Sequence, residues 1–103
     1  MNIVQGWQNK NTTALFEAIL KLKTVPEAEA FFRDLLTLAE IRELSTRLKI
    51  AKLLNNTDKT YLQIAKEAKT TTATITRVAQ WLKNGMGGYK LILNRLGHHS
   101  NSS

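Results

Sequence analysis

Thr60-Tyr61-Leu62-Gln63-Ile64-Ala65-Lys66-Glu67-Ala68-Lys69-Thr70-Thr71-Thr72-Ala73-Thr74-Ile75-Thr76-Arg77-Val78-Ala79-Gln80-Trp81-Leu82-Lys83 is the stretch whose reading decides the fold. Its first four residues form a capping box. The Thr60 hydroxyl can take the amide proton of Gln63, whose side chain reaches back to the Thr60 amide. A short helix follows to about Ala68, then a tight turn at Lys69-Thr70-Thr71, then a second helix from about Thr72 to Lys83. The threonine-rich part argues the other way, because β-branched residues favour strands and Thr72, Thr74 and Thr76 alternate with Ala73 and Ile75. Against this, Ile75, Val78, Ala79 and Leu82 fall at i, i+3, i+4 and i+7, and no second strand is in sight to pair. The helical reading prevails.

Two short helices joined by a three-residue turn suggest a helix-turn-helix, and the packing requirements of that motif are met. Ala65 sits where the two helices meet, and a larger side chain would hold them apart. Ile64, Ala68, Ile75 and Val78 supply the apolar contacts that set the crossing angle. Lys69 departs from the pattern, since glycine is usual at a turn position with positive φ. An ordinary helical hairpin would also place Ala and Ile in a core, so the spacing does not by itself imply DNA.

Outward from this motif the chain reads as helix nearly throughout. Leu15, Phe16, Ile19, Leu20 and Leu22 predict a first helix over Thr13 to Lys23. Thr24-Val25-Pro26-Glu27 reads as a capping box with Pro in the first turn. It opens a helix to about Leu35 with Ala28, Phe31, Phe32 and Leu35 inward. Thr37-Leu38-Ala39-Glu40 repeats the box and opens the longest helix, to about Leu54, with a stripe of Ile41, Leu44, Leu48 and Ala51. Gly85, Gly87 and Gly88 stop the helix that ends near Lys83, and a last helix from about Tyr89 to Leu96 follows. The expected architecture is all-α, about six helices in one domain over residues 1–96. Residues 97–103 are expected to form a flexible tail.

The chain has 103 residues with 15 Lys and Arg against 8 Asp and Glu, a net charge of +7, and no cysteine. One small domain of this length buries only about 60–70% of its unfolded surface, so a second copy would help complete a core. The absence of cysteine excludes disulfides, a thiol nucleophile and cysteine-based zinc sites. No apolar run is long enough for a membrane span, and the start from Met1 to Gly6 has no basic n-region or h-region of a signal peptide; a cytoplasmic protein is expected. The charge is unevenly placed. Residues 1–40 carry four bases against five acids, whereas residues 41–103 carry eleven bases against three. Such a concentration attracts polyanions, although it also serves plain solubility.

The exposed side of the second motif helix favours the polyanion. Thr71, Thr72, Ala73, Thr76 and Gln80 are small or uncharged, Arg77 lies among them, and no acid occurs after Glu67. An ordinary surface helix more often carries Glu–Lys pairs. Hydroxyls, a methyl group and an arginine suit the major groove of double-stranded DNA, while Tyr61, Lys66, Lys69 and Thr70 would meet phosphates or groove edges. Adjacent His98 and His99 in a Ser/Asn tail lack a third ligand, so no metal is expected. With no other His and no Cys, no catalytic constellation, enzyme activity or cofactor is expected. Trp7, Phe16, Phe31, Phe32 and Trp81 read as core or dimer residues. The competing reading is a helical interaction module, or an RNA-binding accessory factor using the same basic surface.

A family resemblance joins these observations. Leu35-Leu36-Thr37, Glu40 with Arg42-Glu43-Leu44, Thr46-Arg47-Leu48-Lys49-Ile50 and Ala73-Thr74-Ile75-Thr76-Arg77 resemble the trp repressor superfamily, in particular its trp-repressor-like YerC/YecD family of Gram-positive bacteria. The resemblance covers about residues 35–96. It implies an intertwined all-helical homodimer acting as a transcriptional regulator, with two reading helices about one DNA turn apart on a near-palindromic site. It also implies an effector pocket in which Arg47 and Arg77 flank the indole of L-tryptophan beside Thr74. Two residues depart from the family here: Val78 stands where a glycine gives the indole room, and Trp81 where a serine lies near the ligand's polar end. With Asp34 also at an apolar flanking position, the expectation is that Trp81 and its neighbours partly fill the pocket and that free tryptophan binds weakly or not at all. Arg47 and Arg77 would then contact phosphate or pair with Glu43 or Asp34.

Overall fold

A computed structural model describes the backbone of residues 6–102 and the side chains of residues 6–97. Met1 to Gln5 and the side chains of His98 and His99 lie outside the described residues. Six helices follow in order: α1 (Lys10–Ile19), α2 (Val25–Leu35), α3 (Leu38–Asn56), α4 (Tyr61–Ala68), α5 (Thr72–Asn84) and α6 (Gly88–Ser102). The fold is all-α, and among the described residues there is no strand. No helix among them is long and apolar enough to cross a membrane.

Side-chain caps set most of the helix starts. Thr37 and Glu40 exchange hydrogen bonds reciprocally at 2.9 and 3.1 Å, as the sequence predicts. At α2 the Thr24 hydroxyl accepts from the Glu27 amide at 3.2 Å, but the Glu27 carboxylate accepts from the Lys23 amide, one residue before the expected partner. α1 begins three residues earlier than its apolar pattern suggests. Asn9 accepts from the Thr12 amide and the Thr12 hydroxyl accepts from the Asn9 amide, so a polar box extends the helix beyond its hydrophobic stripe. At the other end, α6 continues past Leu96 to Ser102, into the segment read as a tail. The apolar pattern ends at Leu96, but helix hydrogen bonds do not need an apolar side chain to continue.

The chain forms two compact units, one up to Ile41 and one from Arg42 onward. In the first, neither α1 nor α2 has a buried residue; Trp7 and Phe16 meet edge to face with centroids 6.2 Å apart, and Phe31 meets Phe32 at 5.6 Å. The second has a core of Ile50, Ala51, Ile64, Ala65, Ile75, Val78 and Leu93, with Leu48, Leu53, Leu54, Ala68, Leu82 and Tyr89 packed against it. Within α3, Ile50 and Ala51 are buried while Leu44 remains 48% exposed, so the expected stripe is covered only near its C-terminal end.

Candidate nucleic-acid interface

The turn between α4 and α5 has the geometry that the motif requires. Thr60 and Gln63 close the box at the start of α4, with distances of 2.8 and 3.1 Å. Lys69 adopts φ 57°, ψ 50°, the left-handed conformation expected of this turn, and the Thr70 amide donates to the Ala65 carbonyl at 2.9 Å. Thr71 caps α5, its hydroxyl accepting from the Thr74 amide at 3.3 Å and lying 3.2 Å from the Thr74 hydroxyl. Ala65 is 4% exposed and Ile64, Ile75 and Val78 are fully buried, so the residues singled out for packing do pack.

At 100° per residue, α5 presents three stripes. Ile75, Val78, Ala79 and Leu82 face the core, and the first three are buried. Thr72, Ala73, Thr76 and Gln80 form a second, exposed stripe. The Thr76 hydroxyl donates to the Thr72 carbonyl at 3.0 Å, which turns its proton inward and leaves oxygen lone pairs for an outside donor. Tyr61, Lys66, Lys69 and Thr71 are exposed around it, whereas Thr70 is half-buried. The third stripe, Thr74, Arg77 and Trp81, lines an open cleft of about 310 Å³ completed by Glu43, Thr46, Arg47, Lys69, Thr70 and Val78.

In that cleft the Arg47 guanidinium lies over the Trp81 ring, 5.2 Å from its centroid, and pairs with Glu43 at 2.5 Å. The pairing with Glu43 is one of the alternatives foreseen for Arg47. Trp81 forms a wall of the cleft and leaves open space beside it. Thr46 was not anticipated. Its position beside Arg47, three residues after Glu43, is the signal that could have found it, since i and i+3 share a helix face. Tyr89 packs against the core, and desolvation pushes its hydroxyl up, opposed by the charge of Arg47.

The electrostatics of the motif are tuned by one acid. Glu67, the last carboxylate before the acid-free segment, is ion-paired to Lys59 across the two ends of α4, and Lys49 donates to its carbonyl at 3.5 Å. The hydrogen bond from Lys59 holds the Glu67 carboxyl below the usual carboxylate range. Arg77 is exposed, with no ion pair among the described residues. Two of the eleven bases are thus engaged with Glu67, leaving the α5 face unopposed. Among the described residues no group of His, Asp or Glu side chains is arranged to hold a metal ion.

Comparison with known proteins agrees with this geometry. The family model described as Trp repressor protein matches residues 10–97. An uncharacterized protein, YerC, of Bacillus subtilis is 39% identical over 89 residues, covering 86% of this chain and 85% of its own. A TrpR-like protein from Eubacterium eligens superposes with a TM-score of 0.85 at 42% identity, over 90% of this chain and 95% of that one. A proposed Trp repressor from Staphylococcus aureus superposes with a TM-score of 0.86 at 37% identity, over 94% and 96%. The chain belongs to the Trp repressor family.

Proposed function

We propose that the protein is a cytoplasmic transcriptional regulator, a repressor, that reads the DNA major groove as an intertwined homodimer. The observation that carries this is the exposed stripe of α5: Thr72, Ala73, Thr76 and Gln80 without an acid anywhere after Glu67. Thr hydroxyls and an alanine methyl can meet base edges and thymine methyls, and Arg77 can reach guanine or phosphate. Tyr61, Lys66, Lys69, Thr70 and Thr71 would position the duplex through its phosphates. The role is binding rather than catalysis. The dimer is supported by the amphipathic helices α1 and α2, none of whose residues is fully buried within one chain. One domain over residues 1–96 would then be completed by its copy.

The effector side of the family reading is weakened by the cleft itself. Trp81 already occupies one face of Arg47, and the fully buried Val78 lines the same cleft. Free tryptophan would lose that guanidinium face and binds weakly or not at all.

Selection of bound duplexes from a random library should return a near-palindromic sequence. Thr72→Asp or Thr76→Asp should abolish binding to it in gel-shift titration while circular dichroism stays unchanged, because a carboxylate on this stripe faces phosphate. Retained affinity in both variants would remove α5 as the reading helix. Capture of a protein partner with no duplex preference would favour an interaction module instead.

A further inference from the structure

We propose that the Arg47–Trp81 stack is a strut that sets the rotation of α5, making Trp81 a positioning residue for DNA recognition. This rests on the reading of α5 as the DNA-reading helix and assigns its regulation: the strut is part of the chain, so reading does not wait for a ligand.

The argument begins with the shortness of α4 and α5, 8 and 13 residues, and the small side chains Ala65 and Ala79 among their buried contacts. Small residues let helices approach closely but offer little to resist rotation. A rotation of about 20° carries a side-chain tip some 5 Å from the axis through nearly 2 Å, enough to break a hydrogen bond to a base. The core holds α5 on its apolar stripe, where Ile75 and Val78 cluster with Ile50 and Ala51 of α3, Ile64 and Ala65 of α4 and Leu93 of α6. That stripe leaves the cleft side of α5 free of core contacts, and Trp81 adds a restraint there through Arg47. It stands about 100° from Gln80 on the exposed stripe and about 60° from Val78 on the helix circumference.

Both partners of the stack are themselves held. Arg47 is restrained by Glu43, one turn earlier in α3, with which it pairs at 2.5 Å. Trp81 is restrained at its backbone: its carbonyl accepts from the Gly85 amide at 2.9 Å, and a Cβ at Gly85 would collide with that oxygen. A guanidinium over an indole face is an attraction that survives partial solvent exposure. Arg47 and Trp81 are 35% and 39% exposed, so the stack is only partly open to solvent.

The test uses the full chain and a duplex obtained by selection. Trp81→Ala should lower affinity for that duplex at least tenfold and change affinity for a random-sequence duplex less than twofold, with helix content retained. Trp81→Phe should keep most of the specificity. Millimolar indole should restore Trp81→Ala and leave the wild type unchanged, and L-tryptophan should not raise wild-type affinity. Unchanged specificity in Trp81→Ala, an equal loss on both duplexes, or a wild-type response to tryptophan would overturn the strut. A DNA-free measurement separates this from failure of the DNA reading. The chain has two tryptophans, so Trp7→Phe leaves Trp81 as the sole indole reporter. Arg47→Ala in that background should raise acrylamide quenching about twofold, and unchanged quenching would overturn the stack whatever the protein binds.

Discussion

The unit ending at Ile41 and the unit beginning at Arg42 are both helical and both amphipathic, yet they solve burial differently. The first has two capped helices with no buried residue, and Leu20 and Val25 are 82% and 71% exposed. The second buries Ile50, Ile64, Ile75 and Val78 completely. Charge follows the same boundary, with five acids and four bases before it and three acids and eleven bases after it. A helix can form on caps and local hydrogen bonds alone, but its apolar stripe is covered only if another element faces it. Under the proposed function, the apolar excess would meet a second copy of the chain and the basic excess a polyanion.

The largest expected effect lies in the self-sufficient core. Ile75→Ala should destabilise the protein by about 2–5 kcal/mol in denaturant unfolding, through lost transfer energy and a cavity. A cost below about 1 kcal/mol would mean that the second unit is as loosely covered as the first. Next, Phe16→Asp should raise the dimer dissociation constant on the order of 100-fold, the loss of about 3 kcal/mol for an aromatic covered by a partner. Sedimentation equilibrium measures this, and an unchanged constant would take α1 out of the dimer contact. Lys69→Gly should raise the denaturation midpoint, with a gain of about 0.5–1 kcal/mol, because glycine relieves the left-handed backbone at φ 57°. A loss of stability there would show that the lysine side chain outweighs the backbone strain.

The smallest effect belongs to Glu67→Gln. Lys59 and the Glu67 carboxylate are both near 40% exposed, so their pairing is screened by solvent. The lowered carboxyl fixes the sign: the stabilisation is full above the ordinary carboxylate range and is lost as pH falls through the lowered value. Melting curves of wild type and variant should therefore differ slightly at neutral pH and converge in strong acid. A gap that grows on acidification would contradict the pairing.

Much of this was legible in the sequence because it is local. Thr37–Glu40 and Thr60–Gln63 are reciprocal caps spanning three residues, and both form as read. The threonine-rich stretch was helical, since the periodicity of Ile75, Val78, Ala79 and Leu82 outweighed β-branching. The start of α1 is less legible, because its apolar residues begin later than the polar Asn9–Thr12 box that sets it. Arg47, Thr74, Arg77, Val78 and Trp81, which the sequence places in an effector pocket only by resemblance, line one cleft, but the open space beside Trp81 is not legible in the sequence. Side-chain direction depends on the crossing of α3 and α5, which no local pattern encodes.

By itself the sequence determined the helices, the helix-turn-helix spacing and the one-sided distribution of charge, since these follow from hydrogen bonds and periodicities within a few residues. Only the tertiary structure decided that Arg47 lies over Trp81, that Glu67 is held by Lys59, and that Leu44 stays exposed while Ile50 is buried. Those outcomes depend on residues distant in the chain meeting in space, and packing, which is cooperative and long-range, makes that choice.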